Sequence, residues 1–225
     1  MCGRYTVSVK FARLVQRWPL RPDDPDLQKL VPSYNVAPSH RVVAVWQGPQ
    51  GKALTAMRWG FLPPWAKDAA AGHRMINARA ETIAEKPAFR KAFKEQRCLI
   101  VADGFYEWRK DGQGKQPVRI VHKSREPFAF AGLWSAWMEQ GAGKEVLSCA
   151  IVTCAANALL QPVHDRMPVI LKRDEEDDWL DPAVKDPAAL LVMLRPYPDD
   201  EMEFYAVSPL VNAPTINKPS LIDPV

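Results

Sequence analysis

Cysteine is the second residue of the chain, in Met1-Cys2-Gly3-Arg4. An initiator methionine is usually removed when residue two is small, and Cys2 would then carry a free α-amine and a thiol together. Unperturbed, the amine titrates near pH ~8 and the thiol near ~8.5, so both have usable nucleophilic fractions at neutral pH. A 1,2-aminothiol condenses with aldehydes: the amine forms a Schiff base, the thiol adds to it, and a five-membered thiazolidine closes. Two nucleophiles on one residue gain the effective molarity of an intramolecular reaction. Taken alone, Cys2 also fits an ordinary second residue of no chemical meaning.

Other groups could serve such a nucleophile. Glu107 lies in Asp103-Gly104-Phe105-Tyr106-Glu107-Trp108. Strand alternation puts Phe105, Glu107 and Arg109 on one face and Tyr106 and Trp108 on the other. A carboxylate among aromatics is desolvated, which raises its pKa toward acid–base use; the plain alternative is a surface glutamate. His164, in His164-Asp165-Arg166-Met167-Pro168, sits in a turn and is either a proton shuttle or merely exposed. Asn77, with Arg79 and Glu81, could orient a carbonyl or imine while Arg79 clamps a phosphate. Arg4, Arg58, Arg79, Arg97 and Arg166 are candidate phosphate contacts. Trp59, Phe61, Trp65 and Trp108 are candidate stacking surfaces, although some tryptophans must be core. Pro63-Pro64 cannot join a sheet, which makes Trp65 the best exposed wedge.

The totals fit this chemistry. The net charge of +4 hides an asymmetry: residues 1–125 hold 23 Lys and Arg against 10 Asp and Glu, the remaining hundred 7 against 16. Such a basic half fits a polyanion partner, or an uneven solvated surface. At 225 residues, 47% hydrophobic and 25% charged, the composition is that of a globular chain with a real core. No apolar run reaches the length of a membrane span and no signal pattern opens the chain, so a cytoplasmic or nucleoid-associated protein is expected. The cysteines are Cys2, Cys98, Cys149 and Cys154. With no Cys-x-x-Cys pair, a zinc site is not expected, and no metal or cofactor is called for. Cys98, Cys149 and Cys154 read as buried, reduced, small apolar side chains.

The elements that must position these groups are mostly strands. A helix is expected over residues 8–18, with Ser8 as its cap and Phe11, Leu14, Val15 and Trp18 at helical spacing. A Pro- and Asp-rich link runs over 19–32, and 34–39 is loop-like. Strands are expected at 41–47 and 53–59, joined by a turn at 48–51. A rigid apolar loop occupies 60–65, and 68–73 is small, polar and mobile. A short helix follows at 87–94, opened by Pro87. Strands come next at 97–102, 105–109, 118–122, 128–134 and 146–153, with turn signals at Asp111-Gly112 and at 141–143. The last part holds short helices at 155–160, 174–180 and 188–194, strands at 168–171 and 203–207, and a Pro-punctuated tail from 212 to 225. Strands cluster without βαβ alternation, so the class is α+β: one domain over 1–225, with a central antiparallel, partly barrel-like sheet and peripheral short helices.

Six motifs resemble one family in the same order: Met1-Cys2-Gly3-Arg4-Tyr5, Tyr34-Asn35-Val36-Ala37-Pro38, Arg58-Trp59-Gly60, Asn77-Ala78-Arg79-Ala80-Glu81, Ala102-Asp103-Gly104-Phe105-Tyr106-Glu107-Trp108 and His164-Asp165-Arg166-Met167-Pro168. They are similar to those of SRAP-domain proteins, the SOS-response-associated abasic-site processing proteins, and the likeness runs on to Leu221-Ile222-Asp223-Pro224-Val225. The resemblance implies binding of single-stranded DNA and capture of a ring-opened abasic-site aldehyde as a thiazolidine on Cys2. It implies orientation of the sugar by Asn77, acid–base work by Glu107 and His164, and DNA contacts at Arg4, Pro38, Trp65, Arg79, Trp108, Thr153 and Arg166. It also implies AP-lyase and self-processing peptidase activity, and a monomer. Relatives carry two adjacent tryptophans at the wedge, whereas Ala66 follows Trp65 here. Two other classes compete. Glutamine amidotransferases also begin Met-Cys-Gly, but such an N-terminal-nucleophile hydrolase leaves the basic half unexplained. A noncatalytic single-strand binder would form no adduct that survives denaturation.

Overall fold

A computed structural model describes residues 2–110, 112, 114–139, 141 and 143–225. Met1, the turn residue Asp111 and the hairpin residue Ala142 therefore lie outside the described residues. In chain order the strands are β1 (Tyr5–Val7), β2 (Ser33–Val36), β3 (Arg41–Gly48), β4 (Gly51–Trp59), β5 (Asn77–Arg79), β6 (Arg97–Ala102), β7 (Gly104–Lys110), β8 (Lys115–His122), β9 (Phe128–Glu139), β10 (Lys144–Ala155), β11 (Arg166–Pro168) and β12 (Met202–Ala206). The helices are short: α1 (Phe11–Arg17), α2 (Arg90–Glu95), α3 (Glu176–Leu180) and α4 (Pro187–Val192).

Five strands close a barrel. The order β10-β4-β3-β6-β9 returns to β10 through the long β9–β10 hairpin. Closure removes the free edges that an open sheet would expose. Most pairings are antiparallel, as expected, but the β4–β10 seam is parallel, as is the β5–β10 pairing. The second sheet, β12-β8-β7-β1-β2, is antiparallel throughout. Both sheets feed one core, in which Tyr5 packs edge-on against Trp59 and Phe130 at ring separations of 5.2 and 5.7 Å. Helices are peripheral because the chain offers no long amphipathic stretch to bury.

Several local expectations change. Ser8 does not cap α1; its backbone N–H and hydroxyl go to Asp103 Oδ2 at 2.5 and 2.7 Å. Residues 34–39 are not all loop, because Ser33–Val36 pairs with β1. Residues 68–73 form an ordered 3-10 turn, Ala69–Arg74, capped by the Asp68 carboxylate. The expected helix at 155–160 is a turn instead, stapled by Asn157 Oδ1 accepting from Leu160 N–H at 3.0 Å.

Asp103 anchors the second sheet. Its carboxylate also accepts from Thr6 Oγ1 at 2.6 Å, Val9 N–H at 3.1 Å and Arg119 Nη2 at 3.1 Å. Buried charges persist only when paired and hydrogen-bonded in this way. Gly104 is needed beside them: a Cβ there would lie 2.8 Å from Arg119 Nε, part of a guanidinium held through Nη1 by Tyr205 and through Nη2 by Thr6. No described helix is long and apolar enough to cross a membrane.

Candidate active site

Cys2 lies just ahead of β1, which pairs with β7 in the register Tyr5↔Phe105. Tyr106 N–H donates 2.9 Å to the Arg4 carbonyl, which extends the ladder beyond β1. Continuing that register sets residue 3 opposite Glu107. Glu107 is 5% exposed, so it is not a surface carboxylate. Its pKa is raised by burial, while the neighbouring His164 ring pulls it down.

Cys2 is fully buried. Burial, reinforced by the charge of Glu107, pushes its thiol far above the usual range. Burial therefore works against the thiolate fraction expected near neutral pH, and Sγ lies 4.0 Å from the Arg4 carbonyl oxygen. Proton removal must accompany its reaction.

Asn77 comes from β5, which lies against β10 with Asn77 opposite Ile151. Its Nδ2 donates 3.0 Å to the Cys2 carbonyl, and its Oδ1 is buried with no acceptor role filled among the described residues. His164 sits in the turn before β11. Its Nδ1 lies 2.9 Å from the Arg166 backbone nitrogen and 2.8 Å from Asp165 Oδ1. It accepts from Arg166 N–H when Nδ1 is unprotonated and donates to Asp165 when Nδ1 carries the proton. Cys2, Asn77, Glu107 and His164, spread over 163 positions of sequence, thus converge.

The other singled-out residues surround this point unevenly. Arg79 is exposed at the end of β5. Arg166 forms a two-pronged pair with Glu81 at 2.5 and 2.9 Å and donates 2.7 Å to the Thr153 carbonyl. That pairing holds the Glu81 carboxyl below its ordinary range. Thr153 is fully buried, so it holds Arg166 and offers a ligand no surface of its own. Arg4 is half-buried, with Nη1 spent on Asn35 Oδ1 at 2.7 Å and the Val211 carbonyl at 2.8 Å. Pro38 is half-buried in the turn after β2, where Ser39 takes a left-handed φ of 74°. Trp65 is 65% exposed. Its loop is pinned from below by Trp137, whose indole N–H donates 2.7 Å to the Ala66 carbonyl. Trp108 is half-buried on β7.

Three candidates are core instead. Trp59 and Phe61 are buried at 0% and 1% exposure and cannot stack on a ligand. Arg97 cannot meet a phosphate, because its guanidinium is spent on the carbonyls of Phe93, Lys94, Trp179, Asp181 and Val184. Sequence reasoning gave no role to Asn35, Asp103, Arg119 or Trp137. The available signal was a polar Asn and Asp in strand context, where such residues are disfavoured unless their side chains are used.

A cleft of about 1020 Å³ has Trp46, Arg58 and Trp137 in its walls. None of Cys2, Asn77, Glu107 and His164 lines it. Among the described residues no group of three or more His, Cys, Asp or Glu side chains is arranged to hold a metal ion.

The chain as a whole resembles known proteins. The family model described as SOS response associated peptidase (SRAP) matches residues 1–214. The abasic site processing protein YoqW of Bacillus subtilis (strain 168) is 45% identical over 224 residues, covering 99% of this chain and 99% of that one. The abasic site processing protein YedK of Escherichia coli (strain K12) is 31% identical over 80% of this chain and 79% of its own. Among solved structures, a Bacteroides thetaiotaomicron protein matches with a TM-score of 0.90 at 26% identity, over 100% of both chains.

Proposed function

The chain belongs to the SOS response associated peptidase (SRAP) family, and from that premise we propose that it processes abasic sites in single-stranded DNA by trapping the sugar aldehyde on Cys2. Its named relatives are abasic site processing proteins. The observation that carries the chemistry is the meeting of Asn77, Glu107 and His164 around Cys2, a residue that can present an amine and a thiol together once Met1 is removed.

With Met1 removed, the α-amine of Cys2 attacks the aldehyde carbon of the ring-opened sugar. A C–N bond forms, and the carbonyl oxygen leaves as water once it has gained two protons. Glu107, whose pKa burial raises, supplies and takes back these protons, and His164 serves the sugar side. The Cys2 S–H then adds across C=N: a C–S bond forms, the thiol proton ends on nitrogen, and a thiazolidine closes. Because burial pushes the thiol pKa up, transfer of its proton to the imine nitrogen accompanies sulfur attack. Asn77 holds the Cys2 carbonyl, and its open Oδ1 is an acceptor for a sugar hydroxyl. Before sulfur attack, the imine acidifies the adjacent C–H. Loss of that proton with departure of the phosphate is β-elimination, which gives AP-lyase activity as a side path. Removal of residues ahead of Cys2 by the same site is the self-processing peptidase activity.

Arg4, Arg79 and Arg166 supply positive charge for phosphates, and Trp65 and Trp108 supply ring faces for unstacked bases. The deciding experiment is intact mass. The purified chain is expected without Met1, and incubation with an abasic single-stranded oligonucleotide should add the oligonucleotide's mass less one water. Unchanged mass after denaturation would leave a noncatalytic binder.

A further inference from the structure

Arg4, at the entry to β1, and Trp108, on β7, end on the same short piece of chain. The Trp108 indole N–H donates 2.7 Å to Asn212 Oδ1, and Arg4 Nη1 donates 2.8 Å to the Val211 carbonyl. Both acceptors belong to one 3-10 turn, Pro209–Asn212. Asn35, 1% exposed, locks that turn in place. Its Nδ2 is directed at the carbonyls of Val211, Ala213 and Ile216 at 3.3, 3.0 and 2.8 Å, and its Oδ1 takes Arg4 Nη1 at 2.7 Å. Val211 is fully buried in a small core with Tyr106, Val207 and Leu221. Asn212 itself is exposed.

An indole N–H at the surface has water available, so a protein partner is not needed to satisfy it. What Asn212 adds is direction: with the N–H fixed, the ring plane is fixed. A base that stacks on an oriented ring loses less freedom on binding than one that must also immobilise the ring.

We propose that Asn212 is a positioning residue of the DNA-contacting face, setting the plane of Trp108, and that its turn couples that plane to Arg4 through Asn35. The inference rests on the proposed single-stranded DNA function. It adds to that function a role for the C-terminal segment, whose carbonyl at Ile216 lies beyond the residues matched by the family model.

The test uses the full chain and an undamaged fluorescent oligothymidylate, read by anisotropy, beside adduct formation on abasic DNA at saturation. Asn212→Ala should weaken binding about three- to tenfold, the net worth of one hydrogen bond. The loss should fall on affinity and not on the saturated rate, with the salt slope unchanged. Asn212→Asp keeps the acceptor for the indole and should recover toward wild type at high salt, where its charge is screened. In a Trp108→Phe background, which keeps a ring and removes the N–H, Asn212→Ala should have no further effect. Wild-type affinity in Asn212→Ala overturns the inference, and so does an equal loss in the Trp108→Phe background. A wild-type chain that binds no single-stranded DNA overturns the functional proposal along with it; normal wild-type binding with an unaffected Asn212→Ala overturns this inference alone.

Discussion

Asn77 Nδ2 donates 3.0 Å to the carbonyl oxygen of Cys2, while Asn77 Oδ1 is buried with no hydrogen bond among the described residues. An unsatisfied buried acceptor costs free energy, about 1–3 kcal/mol, and native folds keep few of them. One half of this amide fixes the Cys2 backbone, and on the proposed mechanism the other half accepts from a sugar hydroxyl. Asn77→Ala should slow adduct formation at saturating abasic DNA by more than the two- to tenfold, roughly, that one lost positioning bond explains. Affinity for undamaged DNA should hardly change. Rates measured by quenched denaturing gels distinguish these outcomes, and a loss confined to affinity would count against the assignment.

Glu107 is expected to affect activity and stability with opposite signs. Burial raises its folded-state pKa above the unfolded one, so between those two values the folded state holds the proton more tightly. Stability then falls as pH rises through that window, and the penalty is fully present above it. Glu107→Gln removes the titration. The variant should melt higher than wild type near pH 7, by roughly 2–4 °C for each kcal/mol relieved. The difference should vanish below the ordinary glutamate pKa. Adduct formation should meanwhile slow by about a hundredfold or more. Thermal melts from pH 4 to 8 provide the check; a variant less stable at pH 7 would mean that the carboxylate is better paired than its burial implies.

Arg79 and Trp65 are both exposed but should respond differently to salt. Single-strand affinity is expected to fall with a log–log slope of about −0.7 per phosphate neutralised. Arg79→Ala should flatten the slope by about that amount. Trp65→Ala should cost about 1–3 kcal/mol of binding with the slope intact, because stacking releases few counterions. Titrations at four or more salt concentrations separate the two, and an unchanged slope in Arg79→Ala would remove it from the phosphate contacts.

Much of the barrel was legible because strand alternation and turn residues are local signals: the β3–β4 and β9–β10 hairpins follow from them. The convergence of Cys2, Asn77, Glu107 and His164 was not derivable from spacing; it depends on β1 pairing with β7 and β5 with β10, which no local pattern specifies. The misassigned arginine is instructive. Arg97 has the same side chain as Arg166, yet it sits at the first position of β6, where helix and loop carbonyls converge on it. Its charge is spent inside the fold. Conversely, the hydroxyl of Ser8 was available for a helix cap but was taken by Asp103, a partner 95 residues away. Capping propensity lost to a buried carboxylate that needed donors.

The two nucleophiles proposed for Cys2 should separate experimentally, since burial pushes the thiol pKa up. On the proposed mechanism the amine acts first, and the sulfur joins when proton transfer to a newly formed imine becomes available. Iodoacetamide near pH 8 should label Cys2 far more slowly in the folded protein than in the denatured one. Cys2→Ala retains the α-amine once the preceding methionine is gone. It should still form an imine that borohydride traps, lose the denaturation-resistant adduct, and nick the abasic strand by β-elimination. His164→Ala should reduce both the adduct and the nicking, because both need the ring-opened sugar. Acetylation of the α-amine should abolish every activity while leaving the thiol in place. Mass spectrometry of acetylated and unmodified protein after incubation with abasic DNA decides the order. A stable adduct on the acetylated chain would make the sulfur sufficient by itself, and the buried thiol would then have to ionise without help from an imine.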